Sequence, residues 1–236
     1  MCSFGIKVCS NPMEYLQPSI TILGLRIDEP VTSFTDLIVA GICLYAFFQL
    51  PAKSSQKTLV YFKWYFLTMC IATAFGGVVG HAFLYALGFS WKLPGWLISM
   101  ISITVLERAM IAYSKPYLTG NWFKFFSVFN FVELITFAGL AYYFLDFRFV
   151  EVHSGYGLVV FVLAFSLYNL KHRKDKTAAR YLLTAVAFAA LGGLAFMLKL
   201  GISQWFNHLD VSHVFLSGAA ILFYKASQAM RKELGR

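Results

Sequence analysis

The sequence predicts an all-α integral membrane protein, a bundle of seven transmembrane helices. Of its 236 residues, 59% are hydrophobic and only 13% are charged, whereas soluble domains carry about 25% charged residues. The apolar residues form unbroken runs, such as residues 156–167. They lack the alternation over about ten residues that is expected of barrel strands. Helices are therefore the predicted spanning elements, because they satisfy every backbone group within the segment.

Seven runs are long enough to cross the membrane, since roughly 20 residues span about 30 Å of hydrocarbon. The first run begins at Ser33 and ends before Pro51, and the second is long enough to tilt. The third follows Pro94, and the basic stretch 171–176 ends the fifth. The predicted spans are 33–50, 60–88, 95–113, 122–145, 150–170, 178–200 and 209–228.

The basic residues predict how the bundle is oriented. Fourteen of the 20 Lys and Arg residues lie in the loops and tail on one predicted side, five lie on the other, and Arg108 lies within a span. Basic loops face the cytoplasm. This predicts an extracytoplasmic segment 1–32, a transmembrane domain 33–228 and a cytoplasmic tail 229–236. A plasma or inner membrane is expected, with an endomembrane as the alternative. Topology explains the net charge of +9, so no nucleic-acid partner is predicted.

One group of ionisable residues lies near the predicted outer mouth of the bundle. His81 lies in the outer half of the second span, and Asp36 lies one turn into the first. His208, Asp210 and His213 lie at the outer end of the seventh. Ionisable residues within spans are costly and mark candidate functional sites. Because zinc binds imidazole and carboxylate groups, these residues form a candidate zinc site.

The spacing within the seventh span leaves the third ligand open. His208 and His213 are five residues apart, which turns them about 140° from each other on a regular helix. Asp210 and His213 are three apart and share a face. His81 and His213 therefore form the best pair, and His208 and Asp210 compete for the third position. In the alternative interpretation Asp210 is a helix N-cap and Asp36 a first-turn acid favoured by the helix dipole.

A second group of polar residues lies deeper. Glu107 and Arg108 belong to the third span, and Glu133 lies at a similar depth in the fourth. Asn130 precedes Glu133 by three residues and shares its helix face. The first interpretation is a buried network with an Arg108–Glu133 ion pair. The alternative is a proton or ion relay, which would suit a proton-coupled transporter.

The placement of the histidines resembles the CREST superfamily, which includes alkaline ceramidases and the adiponectin/progestin-receptor-like proteins. The similarity rests on the seven-span layout, on His81 late in the second span and on His213 early in the seventh. That family has an HxxxH pattern in the seventh span, whereas here four residues separate His208 from His213, and the first position of the pattern falls on Leu209. The family's serine falls on Gly77, and its third-span aspartate has no counterpart.

The resemblance implies a zinc-dependent membrane hydrolase of a lipid amide or ester, in which metal-activated water attacks the carbonyl carbon. The three histidines would bind zinc, and Asp210 or Asp36 would act as general base or orient a ligand. Lys199 would bind an oxyanion or a lipid headgroup. A membrane lipid is the expected partner and substrate. A non-catalytic lipid-binding or sensor protein, which the glycine at position 77 favours, and the proton-coupled transporter are the alternatives.

Overall fold

A short hairpin precedes the helices in the computed structural model, which describes residues 17–51 and 56–235. Its two strands, β1 (Ile20–Ile22) and β2 (Leu25–Ile27), pair antiparallel. The connecting turn places Gly24 at φ 80°, a left-handed conformation that glycine adopts without steric cost. The backbone N–H of Asp28 then donates to the carbonyl of Ala82 at 3.1 Å. This bond ties the hairpin to the end of the second spanning segment.

Helices make up most of the rest of the described chain. Six of them are long and apolar enough to cross a membrane, which agrees with the predicted membrane class. The elements are α1 (Pro30–Gln49), α2 (Lys57–Phe75), a first π segment (Gly76–Ala82), α3 (Leu84–Leu87), α4 (Lys92–Ser114), α5 (Gly120–Phe144), α6 (Arg148–Tyr156), a second π segment (Gly157–Leu163), α7 (Ala164–His172), α8 (Thr177–Met197) and α9 (His208–Leu234).

The seventh predicted span corresponds to α9, which is less apolar than the other six and is not among the candidate membrane spans. Its 27 residues would extend about 40 Å at 1.5 Å per residue. A capping box starts the helix. The side chain of Asn207 accepts from Leu209 N and Asp210 N, and the side chain of Asp210 accepts from Asn207 N. These bonds satisfy N–H groups that have no partner within the helix.

Two spanning segments are wound more widely at one place each. The first π segment follows α2 without a break, and the second joins α6 to α7. Such π-helical turns are rare and occur frequently at functional sites. Both lie beside a cluster of polar side chains.

The hydrophobic core runs through most of the bundle. Fully buried aromatic and aliphatic side chains from α2, α4 and the second π segment meet there, among them Phe62, Phe66, Leu106, Met110 and Phe161. Helix α5 lies at the edge of this core. Its buried residues are Asn130, Glu133 and Ala141, so the face that α5 turns to the bundle is largely polar.

Candidate functional site

The carboxylate of Asp36 lies between two imidazole rings that come from distant parts of the chain. Asp36 Oδ1 is 3.3 Å from Nε2 of His213, and Asp36 Oδ2 is 3.8 Å from Nε2 of His81. Asp36 belongs to α1, His81 to the first π segment and His213 to α9. All three side chains are largely buried, with 9–15% of each exposed. We refer to them, together with Glu29 and Thr35, as the Asp36 cluster.

The other nitrogen of each ring is bound to a partner of its own. His81 Nδ1 lies within hydrogen-bonding distance of Glu29 Oε2, and this contact lowers the pKa of the Glu29 carboxyl group. His213 Nδ1 lies 2.9 Å from the hydroxyl of Thr35. If Nδ1 of each ring donates to these partners, both Nε2 atoms present lone pairs to Asp36. Such an arrangement is repulsive unless a cation or a proton lies between the groups.

Both carboxylate oxygens of Asp210 accept hydrogen bonds from groups other than the two histidine rings. Its Oδ1 accepts from the Thr35 hydroxyl at 3.2 Å. Its Oδ2 accepts from the Gln17 amide at 2.6 Å and from Asn207 N at 2.7 Å. Asn207 is the N-cap of α9, and Asp210 is its capping-box partner at the third helical position, not the N-cap of the alternative interpretation. Asp210 also positions Thr35, which contacts His213.

Gly77 allows α1 to approach the first π segment closely. A Cβ atom at this position would lie 2.8 Å from the Ser33 carbonyl oxygen and 2.9 Å from Asp36 Cβ. A serine at this position would collide with α1. Asp36 thus lies directly against the backbone at Gly77.

The structure does not bring all the predicted residues together. Within residues 17–51 and 56–235, His81, His208 and His213 do not form a group whose donor atoms all lie within 4.8 Å. The ring of His208 lies 5.7 Å from that of Phe196 instead. Lys199 is exposed in the turn after α8, with a φ of 52°. Asp36, not His208, is the residue that lies between His81 and His213.

A second cluster lies among α4, α5 and α6, and we call Glu107, Asn130, Glu133 and His153 the Glu107 cluster. Donor atoms of Glu107, Glu133 and His153 all lie within 4.8 Å of one another, and no other trio in the described chain meets this distance. The Asn130 amide donates to Glu107 Oε2 and, at 3.2 Å, to the Thr104 carbonyl. Glu133 Oε1 lies 3.6 Å from His153 Nε2, beyond hydrogen-bonding range.

Arg108 does not belong to this cluster, so the predicted Arg108–Glu133 pair is wrong. The Arg108 guanidinium lies 4.0 Å from the centroid of the Phe131 ring, a cation–π distance. Successive helical residues point about 100° apart. Consequently Glu107 faces the bundle and Arg108 faces its edge. Glu133 has His153 as its near neighbour instead.

Sequence reasoning missed several of the residues that complete the two clusters. His153 was not selected from the sequence, where it lies close to the start of its predicted span. Glu29, Thr35 and Gln17 carried no periodic signal, since they act through contacts between distant segments. Thr35 could have been found from its position, because it directly precedes the candidate residue Asp36 near the start of a predicted helix.

Comparison with known proteins places the chain in one family. The sequence profile of DUF6962, a family of unknown function, matches residues 31–232. The chain belongs to DUF6962. The match runs from α1 into the last turns of α9 and so includes every residue of both clusters except Glu29. No curated protein and no solved structure shows significant similarity to the chain.

Proposed function

We propose that this DUF6962 protein is a membrane-embedded, zinc-dependent hydrolase of a lipid amide or ester. Asp36, His81 and His213 would hold the metal. The observation that carries the proposal is the carboxylate of Asp36 between two Nε2 atoms. Ligands at 2.0–2.1 Å from a tetrahedral zinc ion lie about 3.3 Å from one another. The separations of 3.3 Å and 3.8 Å from Asp36 are close to this value but involve different carboxylate oxygens, and the donor atoms of the three residues do not all lie within 4.8 Å of one another.

The surroundings of the two rings also suit a metal. Histidine ligands usually donate their second N–H to a carboxylate, a carbonyl or another hydrogen-bonded group, which fixes the ring and its tautomer. Glu29 has this position beside His81. Thr35, backed by Asp210, has it beside His213. A bound zinc ion would draw the two rings, which now lie beside separate oxygens of Asp36, onto one centre.

The proposed reaction assigns separate tasks to the metal and to the chain. Zinc with three protein ligands keeps a position for water and activates it for attack on a carbonyl carbon. Asp36 becomes a ligand rather than the general base, and Asp210 becomes a positioning residue. Glu29 and Thr35 hold the rings in the orientation that leaves Nε2 free to bind the metal. Lys199 remains the proposed contact for a lipid headgroup.

The proposal includes a topology of seven spans with the N-terminal segment outside. Helix α9 would be the seventh span, because it packs along α8 and α1 and is about 40 Å long. Near its C-terminus, Glu233 accepts from Arg173 at 2.6 Å. This contact ties α9 to the basic loop that is expected in the cytoplasm. The Asp36 cluster then lies at the extracytoplasmic end of a plasma or inner membrane protein.

A chelator experiment on purified protein tests the activity. Detergent-solubilised protein is incubated with a membrane lipid extract, and released fatty acid is measured by mass spectrometry. We expect release that a zinc chelator abolishes and added zinc restores. The His213→Ala variant should be inactive, whereas the matched variant His208→Ala should retain activity. Fatty acid release that is unaffected by both the chelator and His213→Ala would refute the proposal.

A lipid-binding sensor is the second candidate, and Gly77 favours it. The chain has glycine where the CREST resemblance places a serine that it associates with hydrolysis. Helix α1 also leaves no room for a larger side chain at this position. A sensor would retain zinc and a co-purified lipid but release no fatty acid from it. The same assay therefore separates the two candidates.

A further inference from the structure

The Glu107 cluster holds polar atoms that nothing in the described chain satisfies. Among the described residues, six buried side-chain atoms have no hydrogen-bond partner, and five of the six belong to the Glu107 cluster. They are Glu107 Oε1, Asn130 Oδ1, both carboxylate oxygens of Glu133, and His153 Nδ1. Burying such an atom without a partner is unfavourable. Five in one place make this cluster a candidate ligand site.

The charges of the cluster indicate what kind of ligand this is. Glu107 and His153 are 0% exposed, and Glu133 is 5% exposed. Two carboxyl groups meet in this space, and the only nearby basic group of the third span, Arg108, lies over Phe131 instead. Buried charges are paired or bind metals. A divalent cation would balance two carboxylates without any cationic side chain.

The backbone around the cluster has the shape that such a site needs. A Cβ atom at Gly157, the first residue of the second π segment, would collide with Glu107 and with Ile103. The segment therefore closes tightly over the Glu107 side chain. On the opposite side, α5 turns Asn130 and Glu133 toward the bundle. Polar residues on the buried face of a helix are costly within a membrane and mark functional positions.

We propose that Glu107, Glu133 and His153 bind a divalent first-row transition metal ion between α4, α5 and α6. Two carboxylates and one imidazole form a mixed oxygen and nitrogen set, which suits ions such as Zn²⁺ and Mn²⁺. Asn130 fixes the Glu107 carboxylate by donating to its Oε2. Thr104 contacts His153 Nε2 at 3.4 Å. The site shares no residue with the Asp36 cluster, so it does not depend on the proposed hydrolase.

Metal content in a variant that lacks the Asp36 cluster tests this site alone. The double variant H81A/H213A is purified, loaded with Zn²⁺ or with Mn²⁺, dialysed and analysed by elemental mass spectrometry. We expect about one ion per chain to remain, and adding Glu133→Gln should remove it. Adding Glu151→Gln, on the same helix as His153 but outside the cluster, should leave it in place.

A graded variant separates metal binding from a structural role. Asn130→Ala keeps every ligand but removes the donor to Glu107, and loss of such an outer partner weakens metal binding about 10–100-fold. On the unmutated chain, which keeps the Asp36 cluster, Glu133→Gln should reduce the EPR signal of bound Mn²⁺, whereas Glu151→Gln should not. Either of two findings would overturn the site: the double variant retains no ion, or, in that background, Glu133→Gln retains as much metal as Glu151→Gln. Either would leave the cluster as a proton-binding network.

Discussion

Replacing Gly77 with alanine places a methyl group where α1 leaves no room for one. The new Cβ would lie 2.8 Å from the Ser33 carbonyl oxygen and 2.9 Å from Asp36 Cβ. Ordinary contact begins near 3.4 Å, so α1 and the first π segment must separate by roughly 0.6 Å. Gly80 provides the matched control, because a Cβ there meets nothing within 4 Å.

The magnitude follows from comparing the two variants. Both gain about 1 kcal/mol of helix propensity when alanine replaces glycine, and this gain cancels in the difference. Overpacking costs about 1–3 kcal/mol, which for a chain of this size lowers the unfolding midpoint by roughly 2–12 °C. Metal–ligand distances are held within about 0.2 Å. A displacement of Asp36 by more than this should therefore weaken zinc binding at the Asp36 cluster about tenfold or more.

Two assays on the same preparations check this prediction. Thermal unfolding in detergent, followed by intrinsic fluorescence, gives the difference in midpoint between Gly77→Ala and Gly80→Ala. Competition with a chromophoric chelator gives their relative zinc affinities. If Gly77→Ala unfolds at the same temperature as Gly80→Ala and binds zinc equally well, the close approach of α1 does not position Asp36 as described.

Three further substitutions have defined outcomes. Glu29→Gln weakens the acceptor beside His81 and should lower zinc affinity about 10–100-fold, measured by chelator competition; unchanged affinity would show that Glu29 does not orient the ring. Asp210→Asn disrupts the capping box of α9 and should lower the free energy of unfolding by about 1 kcal/mol, measured as a lower thermal midpoint. Zinc should stay bound to this variant; a loss of zinc equal to that of an Asp36 variant would make Asp210 a ligand. Arg173→Ala removes the cationic partner of Glu233, to which the Tyr113 hydroxyl still donates, and should cost about 3 kcal/mol, measured as a lower thermal midpoint. Arg173→Lys should recover only part of this because lysine lacks the forked donor set; full recovery would mean that charge alone matters.

The helical elements were predictable from the sequence because apolar length decides them. The breaks at Pro51 and near Pro94 also lie close to observed helix ends. The β1–β2 hairpin was missed because each strand has only three residues, which is too short for an alternating pattern to stand out. The π segments were missed as well, since a run of apolar residues does not reveal one additional residue in a turn. Helix α9 was predicted as a span although it is less apolar than the other six.

The candidate site was predictable in part. The positions of His81 and His213 at one end of their spans were readable from hydropathy, and the five-residue spacing placed His208 and His213 on different faces of a regular helix. That Asp36 lies between the two rings was not readable, because it depends on how α1 rotates against α9. The Arg108–Glu133 pair failed for the same reason. Depth along a helix is visible in a sequence, whereas the direction a side chain faces depends on its neighbours.

The third ligand of the Asp36 cluster tests the central claim most directly. Zinc content is measured for Asp36→Asn and His208→Ala in a Glu133→Gln background, which removes the proposed second site, and X-ray absorption at the zinc edge reports the ligands. The account predicts that His208→Ala retains zinc bound to two imidazoles and at least one oxygen, while Asp36→Asn loses most of it. Zinc that survives Asp36→Asn but disappears with His208→Ala would contradict the account and restore the three-histidine site.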